Sequence, residues 1–227
     1  MYRVFADRRS AGRALVPEVQ RCKLEDPIIL GLPRGGIPLA YEIAVALHAP
    51  LDTIVVRKLG VPSHPELAFG AIASGGIRVI NEDVIQSLAG LDEETIETIA
   101  GREMRELRRR ERAYRLDRPY PELGGRDVVL VDDGLATGAT MRAAAEAVKS
   151  RSPSSVVVAV PVGSASAVAR LAAIVDRIIC LESPTSFYAV GQFYSDFRQT
   201  SDDEVRELLR EAWELSDRPG AEGSSHE

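Results

Sequence analysis

The sequence predicts an α/β fold built on a doubly wound parallel sheet, and three observations carry that reading. Short, nearly continuous Val/Ile/Leu runs recur at residues 27–31, 51–56, 127–131, 155–162 and 174–181. Runs without polar alternation mark strands buried on both faces, as parallel strands are. Helix-like stretches follow several of them: 37–47, with Leu39, Ile43, Ala46 and Leu47 on one face, the alanine-rich 141–149, and 165–173. Strand, helix, strand repetition gives parallel strands joined by right-handed crossovers.

The chain has 227 residues, enough to bury a sizeable core as one domain with an excursion. Its formal net charge of -6 argues against a general nucleic-acid binder, which needs a basic face. Cys22 and Cys180 form no metal-binding spacing, so a reduced, cytoplasmic setting is the simpler expectation. The first residues lack the apolar stretch of a signal peptide, and no run approaches the roughly 20 apolar residues of a spanning helix, so no membrane role is expected.

One stretch carries the most chemistry: Val128-Val129-Leu130-Val131-Asp132-Asp133-Gly134-Leu135-Ala136-Thr137-Gly138-Ala139-Thr140. Four apolar residues make a buried strand, two carboxylates sit where it ends, and a Gly/Ala/Thr turn opens a helix. Small residues allow close backbone approach to a ligand, and amides at a helix start point at anions. The hydroxyls of Thr137 and Thr140 add donors. The turn therefore reads as a phosphate cradle, and the acids suit ribose hydroxyls or a metal. Other phosphate motifs fit poorly. A P-loop needs a lysine after its second glycine, and none follows Gly138. A dinucleotide fingerprint needs its acid about 20 residues after the glycines, whereas here the acids precede them. An aspartate-dependent phosphatase wants a DxD spacing that Asp132-Asp133-Gly134 does not supply.

The stretch from Asp132 to Thr140 resembles the motif that binds 5-phosphoribosyl 1-pyrophosphate (PRPP) in type I phosphoribosyltransferases. The resemblance covers the core from about 27 to 181 and is similar to an uncharacterised prokaryotic branch of that family. It implies that Gly134, Ala136, Thr137, Gly138, Ala139 and Thr140 hold the 5-phosphate, with Asp132 and Asp133 facing the ribose hydroxyls. Leu32-Pro33-Arg34-Gly35-Gly36 follows the first strand, where the family keeps its pyrophosphate loop, so Pro33, Arg34, Gly35 and Gly36 are expected around pyrophosphate. The comparison also implies a cis peptide near Pro33-Arg34. Arg57 and Lys58 resemble a cationic step that approaches pyrophosphate in several members. The alternative is a solvated strand end.

About seventy residues separate the second and third strand runs, far beyond an ordinary connection. A hairpin is expected around Ser74-Gly75-Gly76, then a helix over 91–118 with Asp92 as its cap and Pro119 and Pro121 beyond its end. From Arg102 to Arg118 there are eight arginines against four acids. Glu106 with Arg110 and Glu111 with Arg115 have the favourable i,i+4 order. This helix is either a solvated face or, by family analogy, part of a mobile cover lending an arginine to pyrophosphate. His64 and Glu66 stand at its entry. Five of the eleven Phe and Tyr residues fall between 187 and 197, in the segment that forms a hood in the family. They either stack on a base or anchor the loop to the core. A closing helix is expected over 203–215, with Val205, Leu208, Leu209 and Trp213 inward.

The expected organisation is one domain over 1–217: core about 27–181, insertion about 58–125, hood and closing helix about 182–215. A polar tail at 218–227 is expected to be disordered. The implied activity is transfer of the phosphoribosyl group of PRPP to a nitrogenous base with release of pyrophosphate. Arg34, Lys58, Asp132 and Asp133 would be catalytic, and Mg²⁺ would sit near Asp132 and Asp133. A homodimer is expected by analogy. The alternative is a non-catalytic PRPP sensor. Regulators of that kind often carry an N-terminal DNA-binding domain, and the residues before Pro27 are too few for one.

Overall fold

A computed structural model describes residues 2–61, 64–80, 84–85, 92–116 and 118–217, with the side chains of 64–67 excepted. The side chains of His64 and Glu66 and the 218–227 tail therefore lie outside what is described. The elements in chain order are α1 (Arg8–Gln20), β1 (Pro27–Gly31), α2 (Gly36–Leu47), β2 (Leu51–Thr53), β3 (Val56–Val61), β4 (His64–Ala73) and β5 (Ile77–Ile80). They continue with α3 (Glu93–Arg115), β6 (Asp127–Val131), α4 (Ala139–Lys149), β7 (Ser155–Val162), α5 (Ala165–Ala172), β8 (Arg177–Glu182) and α6 (Asp202–Ser216).

The main sheet has strand order β2-β1-β6-β7-β8, and every pair in it is parallel. Its residues alternate between two apolar layers. Ile29, Val129, Val131, Val157 and Ala159 face α1, α2 and α6, while Leu30, Val128, Leu130, Val156 and Val158 face α4 and α5. All ten are nearly or wholly buried, which is why these strands read as unbroken apolar runs. Each fully buried Val, Leu or Ile contributes about 1.5–3 kcal/mol. Helices on both faces make the sheet doubly wound, as expected.

The second strand run divides in two. β2 ends at Thr53, and the chain then enters β3, which belongs to a separate antiparallel sheet of order β3-β4-β5. The excursion therefore starts at about Val56 and adds a strand that the sequence reading missed. The β4–β5 hairpin turns at Gly75 and Gly76, both with positive φ (79° and 74°), a conformation only glycine adopts without cost. α3 begins at its Asp92 cap, whose side chain accepts from the Thr95 amide at 2.8 Å.

Two helices outside the expected core complete the wall of the site. α1 was not foreseen. Asp7 and Ser10 cap it reciprocally, and its Ala11, Leu15 and Val19 are buried. α6 is capped by Ser201, which accepts from the Glu204 amide. Its Trp213 Nε1 donates to the Leu51 carbonyl at 2.9 Å and fastens the helix to the sheet edge. No helix among the described residues is long and apolar enough to cross a membrane.

Candidate active site

The chain leaves β1 through α2 toward β2 on one side, and leaves β6 through α4 toward β7 on the other. Strand order reverses between β1 and β6, so a crevice opens beyond their carboxyl ends. Register pairs Gly31 with Val131, so the 32–36 and 132–138 loops emerge side by side. The Leu32 amide donates to the Val131 carbonyl at 2.9 Å and ties them together. The Pro33–Arg34 peptide is cis.

Glycine is required where these loops touch. A Cβ on Gly35 would lie 2.2 Å from Asp133 Oδ2, and one on Gly36 would lie 2.3 Å from the Val131 carbonyl oxygen. Gly134 meets Val190 of the hood in the same way, at 2.6 Å. Gly138 (φ 72°) caps α4 through its backbone alone, with no side-chain hydrogen bond at that cap. The turn before it is pinned to the end of β7. The Leu135 amide donates to the Val162 carbonyl, Ser164 Oγ to the Ala136 carbonyl (2.7 Å), and Arg170 to the Thr137 carbonyl (3.0 Å). With its carbonyls held by these bonds, the turn exposes Ala136, Thr137, Ala139 and Thr140 around a half-buried Gly138 at a positive helix end.

The two acids differ. Asp132 Oδ1 accepts the Asp133 amide at 2.8 Å. Burial, together with the charge of Asp133, raises its carboxyl well above the ordinary range. Asp133 is also pushed up by burial, but Arg8 opposes the shift. Arg8 reaches across from α1, with Nε 2.9 Å and Nη2 2.8 Å from Asp133 Oδ2. It also donates to the Arg198 carbonyl and lies 4.0 Å over the Phe197 ring. Tyr194 donates its hydroxyl to the Asp133 carbonyl at 2.7 Å.

A cleft of about 520 Å³ lies in front of this pair. Its walls include Arg8, Pro33, Arg34, Gly35 and Asp133, with Arg109, Arg110 and Tyr114 from α3 and Asp202 from α6. Arg34 stands 3.6 Å from Asp202, which also accepts the Tyr114 hydroxyl at 2.8 Å. Burial and that carboxylate push the Tyr114 phenol up to about 12.

Most of the residues singled out in the sequence meet at these two loops, but the cationic pair does not. Arg57 lies in an ion pair with Glu103 of α3 (2.6 Å), facing the insertion. Lys58 lines a shallow groove with Ala139, Arg142 and Glu146 of α4. Arg115 does not pair with Glu111. It is buried against Asp52 of β2 at 2.9 Å. Glu106 does pair with Arg110, at 2.9 Å. The hood aromatics mostly anchor. Phe193 and Tyr194 are buried, and Phe187 stacks on Phe193. Sequence reasoning did not single out Arg8, Tyr114, Tyr194 or Asp202 beside the cleft, and it expected an arginine of the insertion without choosing Arg109 or Arg110. Asp7-x-x-Ser10 and Ser201-x-x-Glu204 are capping signals that could have marked the starts of α1 and α6, but neither signals a direction toward the site.

Known proteins resemble this chain in sequence and in fold. Residues 11–198 match the family model of the phosphoribosyl transferase domain. Two Mycobacterium tuberculosis proteins, from strains CDC 1551 and H37Rv, each bear the name "Putative phosphoribosyl transferase". Each is 47% identical over 210 residues, covering 92% of this chain. The chain spans 47% of the length of each. The crystal structure of TT1426 from Thermus thermophilus superposes with a TM-score of 0.85 at 44% identity, covering 92% of this chain and 99% of that one.

Proposed function

This chain belongs to the phosphoribosyl transferase domain family, and from that premise we propose that it binds PRPP at the β1–β6 crevice and transfers its phosphoribosyl group to a nitrogenous base. The observation that carries the reading is the contact between the two loops. The Pro33–Arg34 loop and the acid pair with its Gly/Thr turn share one crevice and touch through glycines.

In this reading the turn from Ala136 to Thr140 takes the 5-phosphate, with Gly134 allowing close approach. Asp132 and Asp133 take the ribose hydroxyls. The bond from C1 to pyrophosphate oxygen breaks, and its electron pair leaves with pyrophosphate. A base nitrogen supplies the pair for the new C1–N bond. Positive charge develops at the ribosyl centre, and the acids stabilise it electrostatically. Arg34, with Arg109 and Arg110 on the facing wall, balances the departing charge. Gly35 and Gly36 let the chain pass close to it. Arg57 and Lys58 stay outside this cleft and reach pyrophosphate only if α3 or the hairpin sheet moves. No protein nucleophile is needed. The chemistry of the acid pair also fits a magnesium ion. Two neighbouring carboxylates, one driven toward its neutral form by burial, gain from a cation beside them. Among the described residues no group of three or more metal-binding side chains exists, so such an ion would complete its shell with water and substrate oxygens. When bound, it supplies charge neutralisation of pyrophosphate.

One observation favours a second reading, a PRPP-binding regulator without turnover: Arg8 already occupies the carboxylate of Asp133. Calorimetric titration of PRPP with and without Mg²⁺ tests the binding. Asp132→Asn with Asp133→Asn should abolish it, and a folded wild-type protein that binds no PRPP would sink both readings. Pyrophosphate release with a panel of bases separates them, because a regulator binds PRPP and releases none.

A further inference from the structure

We propose that a second cavity, between α3 and the β4–β5 turn, is an anion site that takes a small phosphate-bearing molecule. It has a volume of about 390 Å³ and lies on the face of α3 opposite the cleft. α3 sends Arg109, Arg110 and Tyr114 into the cleft, and Arg108, Arg112 and Arg115 into this cavity.

Charge is the first argument. Arg108, Arg112, Arg115 and Arg118 line the cavity, against Glu111 as its one described acid. Arg115 is balanced by Asp52, and Arg118 reaches Asp217 at 3.1 Å. Arg108 and Arg112 are exposed and form no ion pair among the described residues, so two guanidinium groups stand uncompensated at its mouth.

Hydrogen bonding is the second and independent argument. Among the described residues, the buried side-chain polar atoms without a partner are Arg115 Nε and the Tyr120 hydroxyl. Both residues line this one cavity, with the Arg115 guanidinium 4.8 Å from the Tyr120 ring. A buried polar atom left unpaired is costly, so such atoms ordinarily have partners. Nε–H can only donate, and a phenol donates readily. The two free guanidinium groups ask for several acceptor oxygens with negative charge, and the two unpaired donors belong to residues of the same wall. A phosphate offers that array to arginine. A singly charged carboxylate matches fewer of these groups. The volume admits a diphosphate or a phosphorylated metabolite.

The site does not depend on the reading of the cleft, and the test keeps the two apart. Pyrophosphate is titrated calorimetrically into wild-type protein, Arg112→Glu, Tyr120→Phe and the cleft variant Arg34→Ala, each first checked for a wild-type melting curve. The expected result is a binding event that Arg112→Glu weakens at least tenfold. Tyr120→Phe weakens it measurably, and Arg34→Ala leaves it within about twofold. Tighter binding of ATP than of pyrophosphate at this event would identify a phosphorylated metabolite as the occupant, and the reverse order an inorganic phosphate. Either order supports the site. Two results would overturn it: pyrophosphate binding that only Arg34→Ala removes, or no pyrophosphate binding by the folded wild-type protein at millimolar concentration.

Discussion

Gly36→Ala tests whether the two loops must touch. The new Cβ would lie 2.3 Å from the Val131 carbonyl oxygen and 3.0 Å from Asp132 Cα, where ordinary contact begins at 3.4 Å. Both neighbours are backbone, so no rotamer change relieves the clash. The loops must part by about 1 Å, and the same carbonyl accepts the Leu32 amide, so that hydrogen bond stretches. Overpacking of this kind costs about 1–3 kcal/mol, and the weakened hydrogen bond about 0.5–1.5 kcal/mol. Alanine recovers about 0.4–1 kcal/mol by restricting the unfolded chain. The net loss is about 0.5–4 kcal/mol, which in a protein of this size lowers the melting temperature by about 1–16 °C. The effect on the crevice is larger in proportion, because the displaced atoms flank the acid pair. PRPP affinity, measured well below the melting temperature, should fall at least tenfold, or about 1.4 kcal/mol. A variant with wild-type melting and wild-type affinity would refute the claim that backbone contact at Gly36 shapes the site.

Three further outcomes follow from the ion pairs. Arg8→Ala removes the partner of a mostly buried Asp133 carboxylate and should cost about 2 kcal/mol in thermal unfolding; an unchanged melting temperature would show that the pair contributes nothing. Asp52→Ala leaves the Arg115 guanidinium buried, with side-chain exposure of only 5%, and should cost about 3–5 kcal/mol at pH 7.5 by urea unfolding; a loss below about 1 kcal/mol would contradict that. Burial raises the Asp52 carboxyl from 3.8 to about 6 against the pull of Arg115. The folded protein therefore keeps this proton where the unfolded chain has already released it. From Asp52, stability should fall as pH rises from about 4 to 6, by up to about 1 kcal/mol per unit, and level off above. Asp52→Asn should remove that component of the slope, and an identical slope in the variant would place the titration elsewhere.

Much of the core was readable because its signals are local. Val128 to Val131 are apolar without alternation since both faces of β6 are covered, and that pattern is written in four consecutive residues. The acid pair, the Gly/Thr turn, the Asp92 cap and the Gly75-Gly76 turn are equally local. Each depends on the backbone conformation of a few neighbours. The break between β2 and β3 was not readable, because Asp52 and Thr53 are buried within β2 and carry no turn signal, so 51–56 reads as one run and only the pairing partners divide it.

The sequence by itself therefore determined the α/β architecture and the two loops that meet at the sheet's switch point. The tertiary structure decided which charges serve them. Arg57 was expected at pyrophosphate, but Glu103 of α3 lies within 2.6 Å and holds it. Arg115 was expected to pair one turn back along its helix, but Asp52 from the sheet edge offers a buried partner instead. Arg8, 125 residues away in sequence, reaches Asp133 because α1 packs across α2. An ion pair forms with whichever opposite charge the packing brings within a few ångströms, and its energy grows as water is excluded. Distance and burial of that kind are properties of the assembled layers and have no counterpart in the spacing of residues along the chain.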